Sequence, residues 1–151
     1  MGKIHLKETN QEDIIKEGQK IEEAAKKDAN KVRHSGNYSE GKIFVSSSYN
    51  NTIITLTNSA GNVLAWKSAG SVGFKGTKKS TSFAASRVAE TIAGICKKMG
   101  IEKIDVLIKG IGAGRESSVR TLVNQGLNVV SIKDNTPIPH NGCRPRKVRR
   151  I

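Results

Sequence analysis

Residues 104–120 read IDVLIKGIGAGRESSVR, and this stretch decides the fold of the chain. Ile104, Val106 and Ile108 recur at every second position, which predicts a β-strand. The strand runs into three glycines, at positions 110, 112 and 114, and a helical pattern begins directly after them. A strand, a glycine turn and a helix in immediate succession indicate an α/β domain.

Three further strands are predicted before this stretch. They are rich in Val, Ile, Thr and Ser and cover residues 42–48, 52–58 and 63–68. The segments between them are too short to hold crossover helices, so the three strands are expected to form an antiparallel meander.

Two helices and a fifth strand complete the domain. The first helix begins at a cap supplied by Ser80 or Thr81 and ends at Gly100. A second helix over 115–125 is closed by Gly126, and a strand follows over 127–133. The apolar face of the first helix is predicted to be Phe83, Ala84, Val88, Ile92, Ile95, Cys96 and Met99. The element order predicts a five-stranded mixed sheet whose last three strands are joined by right-handed parallel crossovers.

The charge of the chain indicates a polyanionic partner. The formal net charge is +13, and the sequence pI is about 10.0. Residues 1–41 hold eight cationic and eight acidic side chains, whereas residues 42–151 hold eighteen and five, so the whole excess lies in the second part. Nucleic acid is the first candidate partner, and an anionic membrane surface is the second.

The chain is predicted to have three parts: an arm at 1–41, an α/β domain at 42–135 and a tail at 136–151. The arm is neutral and helix-prone, and a solvated helix is favoured there over a partner-binding one. Residues 136–139, TPIP, form a stiff spacer. Five Lys or Arg side chains lie within 144–150 with no acid among them, which favours phosphate binding by the tail.

Composition argues against a secreted, membrane-spanning or enzymatic protein. Cys96 and Cys143 are too few for a disulfide framework, and no apolar run suits a signal peptide or a membrane helix, so a cytoplasmic location is expected. His140 and Cys143 make a poor zinc site, and Cys96 is predicted to lie in the core. The five acids of the domain are scattered and form no catalytic or metal-binding pattern, so no cofactor is expected: Glu90, Glu102, Asp105, Glu116 and Asp134.

The glycine turn at 110–114 has three interpretations. A dinucleotide fingerprint needs glycine at the sixth place, which this chain lacks, and no Walker Lys-Ser/Thr follows, so a free nucleotide is disfavoured. A tight structural turn is the second interpretation. Arg115, placed beside a helix N-terminus, favours the third, which is contact with RNA phosphate.

The loop over 69–79, AGSVGFKGTKK, is too rich in glycine for a helix or a strand. Its aromatic residue, Phe74, is predicted to be exposed and either to stack on a base or to pack under the loop; an ordinary flexible loop is the alternative. Trp66 falls within a strand pattern and is expected in the core or at its rim.

Four motifs together resemble the family of the eleventh small-subunit ribosomal protein, in its bacterial form. They are SYNNTIITLT at 48–57, GFKGTKKSTSFAA at 73–85, GRES at 114–117, and TPIPHNGCRP at 136–145 followed by RKVRR. The resemblance covers about residues 42–151. It implies a ribonuclease-H-like mixed sheet without catalytic acids, bound to ribosomal RNA at the platform of the small subunit near the messenger exit. It also implies S-eighteen and S-seven as neighbouring proteins and messenger RNA nearby.

The resemblance also implies which residues bind RNA. The family's RNA-facing motifs match Asn50, Asn51, Phe74, Lys75, Gly76, Lys78, Lys79, Ser80, Thr81, Gly112, Gly114, Arg115, Glu116, Ser117, Arg120, His140, Asn141, Gly142, Arg144, Arg146, Lys147, Arg149 and Arg150. Two departures stand out. Ile111 and Ala113 occupy places where the family usually has proline, and the neutral arm replaces a short basic start. An enzyme using the ribonuclease-H-like fold is the alternative from another functional class, and the scattered acids disfavour it.

Overall fold

A computed structural model of the chain describes residue 19, residues 38–144 and residues 146–148. The elements predicted for residues 42–135 are present with bounds that differ by at most two residues from those expected. The strands are β1 (Glu40–Ser47), β2 (Thr52–Asn58), β3 (Val63–Ser68), β4 (Lys103–Gly110) and β5 (Asn128–Asp134), and the helices are α1 (Ser82–Lys98) and α2 (Gly114–Asn124). The predicted helix of the N-terminal arm lies outside the described residues, apart from position 19.

The five strands form one mixed sheet in the order β3-β2-β1-β4-β5. β2 runs antiparallel to β1 and β3, whereas β4 is parallel to both β1 and β5. This confirms the predicted mixed α/β sheet. Only β2 runs in the opposite direction, so the other four strands all end at the same side of the sheet: β1, β3, β4 and β5. We call that side the carboxyl edge.

The core lies between the two helices and one face of the sheet. Alternate residues of β1, β2 and β4 point into it, and α1 contributes the other side with Val88, Ile92 and Ile95. Each fully buried Ile or Leu contributes about 1.5–3 kcal/mol through removal of apolar surface from water. Cys96 is buried here, as predicted, and burial raises the pKa of its thiol to about 12.

The helix ends follow the sequence signals. Thr81 caps α1, because its Oγ1 accepts a hydrogen bond from the Ala84 amide at 3.2 Å. Gly100 and Gly126 follow the two helices with φ of +72° and +80°, a conformation that favours glycine and stops each helix. Both closing glycines were predicted.

Three expectations need correction or refinement. Phe83 is not part of the buried face of α1, because 100° per residue places it opposite Val88 and Ile92; it is 59% exposed. The loop after β3 is not wholly irregular, since Gly76–Ser80 form a 3-10 helix. Trp66 lies at the rim of the sheet, on edge strand β3, and is also 59% exposed.

Candidate nucleic-acid interface

Four segments predicted to bind RNA begin at the carboxyl edge, because each follows a strand that ends there. They are the turn at 48–51, the loop at 69–81, the glycine turn at 110–114 and the segment from 135 onward. Backbone hydrogen bonds tie them to the sheet: Gly112 donates to the Ser47 carbonyl at 3.0 Å, and Ala69 donates to the Thr52 carbonyl at 3.0 Å. Segments that are far apart in the sequence therefore share one edge.

The glycines after β4 are required by close packing. A Cβ atom at Gly110 or Gly112 would approach atoms of Ser47 more closely than 3.0 Å, and one at Gly114 would approach Thr52 Oγ1 more closely than 3.0 Å. Gly110 also has a φ of +100°. The amide of Gly112 is already bonded to Ser47. Tight packing therefore accounts for these glycines without a bound phosphate, and anion contact at the turn stays a prediction.

Arg115 binds groups of its own chain. Its Nη1 donates to the Gly110 carbonyl and, at 3.1 Å, to Thr136 Oγ1, and its Nη2 forms an ion pair with Asp134. Thr136 Oγ1 in turn accepts from the Gly110 amide at 3.2 Å. The guanidinium thus joins the glycine turn to the end of β5 and to the first residues of the tail. Its contact with an RNA phosphate stays a prediction.

Asp134 is held in its charged form by this network. Its Oδ1 accepts from the hydroxyl and the amide of Thr136, at 2.6 and 2.9 Å. These two hydrogen bonds, followed by the one from Arg115, lower the pKa of Asp134 to about 2. The carboxylate is therefore ionised at neutral pH and stabilises the start of the tail.

A second acid at this edge is also paired. Glu116 lies in the first turn of α2, where an acid complements the helix dipole, and it forms an ion pair with Arg120 one turn later. Both side chains are exposed to solvent. Because Asp134 and Glu116 each have an arginine partner, their repulsion of an approaching phosphate is reduced.

The loop after β3 is anchored by Phe74. This side chain is only 7% exposed, and its amide donates to the Ala69 carbonyl at 3.1 Å. The prediction of an exposed Phe74 is wrong, and of its two interpretations packing under the loop is the one observed. Lys75, directly before the 3-10 helix, is exposed, as are Gly76 and Lys78 within it. Lys79, also in the 3-10 helix, is half-buried.

Two exposed aromatic rings lie at this edge, Tyr49 in the β1–β2 turn and Phe83 on α1. Phe83 was not predicted as a binding residue. The rings of Phe74 and Phe83 meet in a T-shaped contact with their centroids 5.9 Å apart, and the Arg87 guanidinium lies 5.5 Å from the centroid of Phe83. Phe83 forms one wall of a groove of about 470 Å³ between the first turns of α1 and α2. The groove is lined by Ser82, Phe83, Ser86, Ala113, Glu116, Ser117, Arg120 and Thr121.

The predicted positions of the β1–β2 turn and of the described tail lie outside helices and strands. Asn50 is exposed in the β1–β2 turn, and Asn51 closes that turn, with its Oδ1 accepting from the Thr52 amide at 3.0 Å. Asn141 has a φ of +51°. The described part of the tail is exposed and has no helix or strand: His140, Asn141, Gly142, Arg144, Arg146 and Lys147. Arg149 and Arg150 lie outside the described residues.

Sequence reasoning missed three participants at this edge: Phe83, Asp134 and Thr136. The angular position of Phe83 on a helical wheel, 180° from the centre of the buried face, was a usable signal. No local pattern pairs Arg115 with Asp134, because the contact joins residues nineteen positions apart.

The described residues contain neither a candidate metal site nor a candidate membrane span. No group of three or more His, Cys, Asp or Glu side chains there is arranged to hold a metal ion. In the same part of the chain, neither helix combines the length and apolar character needed to cross a membrane.

Comparison with known proteins identifies the family. Residues 41–150 match the family described as Ribosomal protein S11. The chain is 51% identical to the small ribosomal subunit protein uS11 of Leptothrix cholodnii over 131 residues, which cover 87% of this chain and 96% of the relative. The uS11 proteins of Treponema pallidum and Chlamydia trachomatis are 51% and 47% identical, over 80% and 87% of this chain and 96% and 99% of theirs. The chain therefore belongs to the ribosomal protein S11 family, and it is a structural protein of the small ribosomal subunit rather than an enzyme.

Proposed function

We propose that this chain binds small-subunit ribosomal RNA through the carboxyl edge and the basic tail, and so holds the RNA in its folded form. The observation that carries the proposal is the position of four strand ends at one edge. That geometry places the loop of Lys75 and Lys78, the first turns of α1 and α2, and the start of the tail on the same side of the molecule.

The electrostatics of this edge support a phosphate partner. Helix N-termini present amide donors and a positive dipole end, and the first turn of α1 contains no acid. The single acid in the first turn of α2, Glu116, is paired with Arg120. Arg144, Arg146 and Lys147 add exposed positive charge in the tail. We infer that the tail supplies most of the non-specific affinity and that the edge fixes the orientation.

The fold family, the position within the small subunit and the roles of the three parts of the chain belong to the same proposal. In this proposal the mixed sheet, with the order β3-β2-β1-β4-β5, is that of a ribonuclease-H-like domain. The chain would lie at the platform, near the messenger exit, beside proteins of the S-eighteen and S-seven type. In this proposal residues 42–135 are the RNA-binding domain, residues 136–151 are its basic tail, and residues 1–41 are a separate arm.

The test is the salt dependence of RNA binding. Each phosphate contact contributes about 0.7–0.9 to the slope of log affinity against log salt concentration. Deleting residues 144–151 removes the five cations of the tail, so we expect weaker binding to small-subunit RNA and a slope smaller by about 3.5 to 4.5. Filter binding at several salt concentrations measures both quantities.

A matched control removes charge at the opposite edge. Lys97 lies in the last turn of α1 and Lys103 is the first residue of β4. The double variant Lys97→Gln with Lys103→Gln is expected to leave the slope nearly unchanged. An unchanged slope in the deletion variant, or an equal loss in the control, would contradict the role of the tail. Retention of labelled ATP or GTP would instead support a nucleotide-binding protein.

A further inference from the structure

The second face of the sheet is not covered within the described part of the chain. Both helices pack on the face that carries Ile43 and Val45, and they also pack on each other. The opposite face, which we call the open face, carries the alternate residues of each strand, such as Phe44 of β1 and Trp66 of β3. It meets solvent.

The strand register aligns a row of side chains across the open face. Trp66 pairs with Thr55, Thr55 with Phe44, Phe44 with Leu107, and Leu107 with Lys133. At a strand spacing of about 4.8 Å the row is about 19 Å long. Ile53 lies beside it on β2 and is 37% exposed, while Phe44 is 39% exposed. Four large apolar side chains, Trp66, Phe44, Leu107 and Ile53, thus share this face, and we call them the band; Thr55 lies between Trp66 and Phe44 in the row.

Such a band is unusual on a free sheet of this kind. β1, β4 and β5 are mutually parallel. All-parallel sheets are found almost only with both faces covered, and three of the five strands of this mixed sheet follow that arrangement. Tryptophan and phenylalanine also gain more from burial than other side chains do. Contiguous exposed apolar surface marks an interaction site more often than scattered residues do.

Charge at the margin of the band selects the partner. Lys42, Lys109 and Lys133 surround it, and none of them forms an ion pair within the described residues. Two acids share this face: Asp105, which is the register partner of Lys42 and accepts from Ser131 Oγ at 2.6 Å, and Glu40, which pairs with Lys103. The open face is thus apolar at its centre, and its margin carries more lysines than acids.

We propose that the open face binds an acidic amphipathic segment of a neighbouring protein. Apolar side chains of that segment would cover Trp66, Phe44 and Leu107, and its carboxylates would meet the three lysines. RNA fits less well, because Ile53 and Leu107 form half of the band, whereas base-stacking platforms rely on aromatic rings and arginine planes. The proposal rests on the proposed position of the chain beside other proteins of the small subunit.

Photocrosslinking from the band tests the proposal in assembled particles. The full chain carries p-benzoylphenylalanine in place of Trp66 in one variant and of Phe44 in a second, and small subunits are purified before irradiation. We expect a crosslink to another ribosomal protein, within a peptide that contains both acidic and apolar residues. Adding Lys109→Glu with Lys133→Glu should reduce its yield at least fivefold.

A matched probe at the carboxyl edge separates this inference from RNA binding. Phe83 has the same exposed fraction as Trp66, 59%, and a probe there is expected to crosslink to ribosomal RNA. Failure of the Phe83 probe alone would count against the RNA interface and leave the open face untouched. A crosslink of both open-face probes to RNA or to a second copy, or none from either, would overturn the proposal.

Discussion

Replacing Gly114 with alanine should destabilise the domain, because the glycine turn is packed against the sheet. A Cβ atom at this position would lie 2.8 Å from the Cβ of Ala85 and closer still to Thr52 Oγ1. Both neighbours are buried, so neither can move freely. Gly114 is the first residue of α2 and is not among the glycines with positive φ, so the effect is steric alone.

The magnitude follows from two opposing effects. Overpacking a buried site costs about 1–3 kcal/mol. Loss of glycine freedom in the unfolded chain returns about 0.4–1 kcal/mol. The net loss for Gly114→Ala is therefore about 1–2 kcal/mol, which lowers the melting temperature of a domain of this size by roughly 4–16 °C.

Gly94 provides the matched control. It lies in α1, and nothing is within 4 Å of the position its Cβ would occupy. Gly94→Ala should therefore stabilise the domain by about 0.5–1 kcal/mol through helix propensity. Thermal unfolding followed by circular dichroism and by the emission of Trp66, the single tryptophan, measures both variants.

A double variant tests the cause. Thr52→Ala removes the hydroxyl that the new Cβ would meet. The double variant should therefore lose less stability than the sum of the losses in the two single variants. Strict additivity, or stabilisation by Gly114→Ala equal to that by Gly94→Ala, would refute the packing explanation of the glycines.

Three further predictions concern other sites. The pKa of Asp134 is lowered to about 2 in the folded chain, so its contribution to stability is present above pH 4 and is lost as pH falls toward 2. The urea midpoints of wild type and Asp134→Asn should therefore converge over that interval, and a constant difference would contradict the network. Iodoacetamide should alkylate Cys143, which is exposed, well before buried Cys96; equal native rates by mass spectrometry would argue against the core assignment. Phe83→Ala should weaken RNA binding about five- to tenfold with little change in salt slope, as loss of a stacking contact of about 1 kcal/mol requires; unchanged affinity would remove the ring from the interface.

Much of the fold was predictable because local patterns and tertiary packing agree. Glycine at 100 and 126 and the cap at Thr81 mark helix ends through backbone geometry alone, and the structure places them there. The alternation of apolar residues in β4 likewise predicted which face of that strand is buried. The strand order was not predictable in the same way, since β1 lies between β2 and β4 only because the connection through α1 carries the chain from β3 past β2 and β1.

The site was harder to predict, because its determinants are contacts over long sequence separations. Composition and motifs predicted that the segments around Lys75, Arg115 and Arg144 bind the same RNA. They did not predict how these segments are arranged relative to one another. Arg115 was interpreted from its neighbours in the sequence, whereas its partner Asp134 arrives from the end of β5. The environments of Phe74 and Phe83 are the reverse of those predicted. Phe74 is buried under the loop, and Phe83, which it contacts, is exposed.

The most direct test of the RNA-binding account is sedimentation of the tagged full chain from cells through a sucrose gradient, with and without prior ribonuclease treatment. The account predicts that the chain migrates with the small ribosomal subunit, remains there at moderate salt, and is released when the RNA is digested. Recovery at the top of the gradient before digestion, or retention in a protein complex that survives complete removal of the RNA, would contradict it.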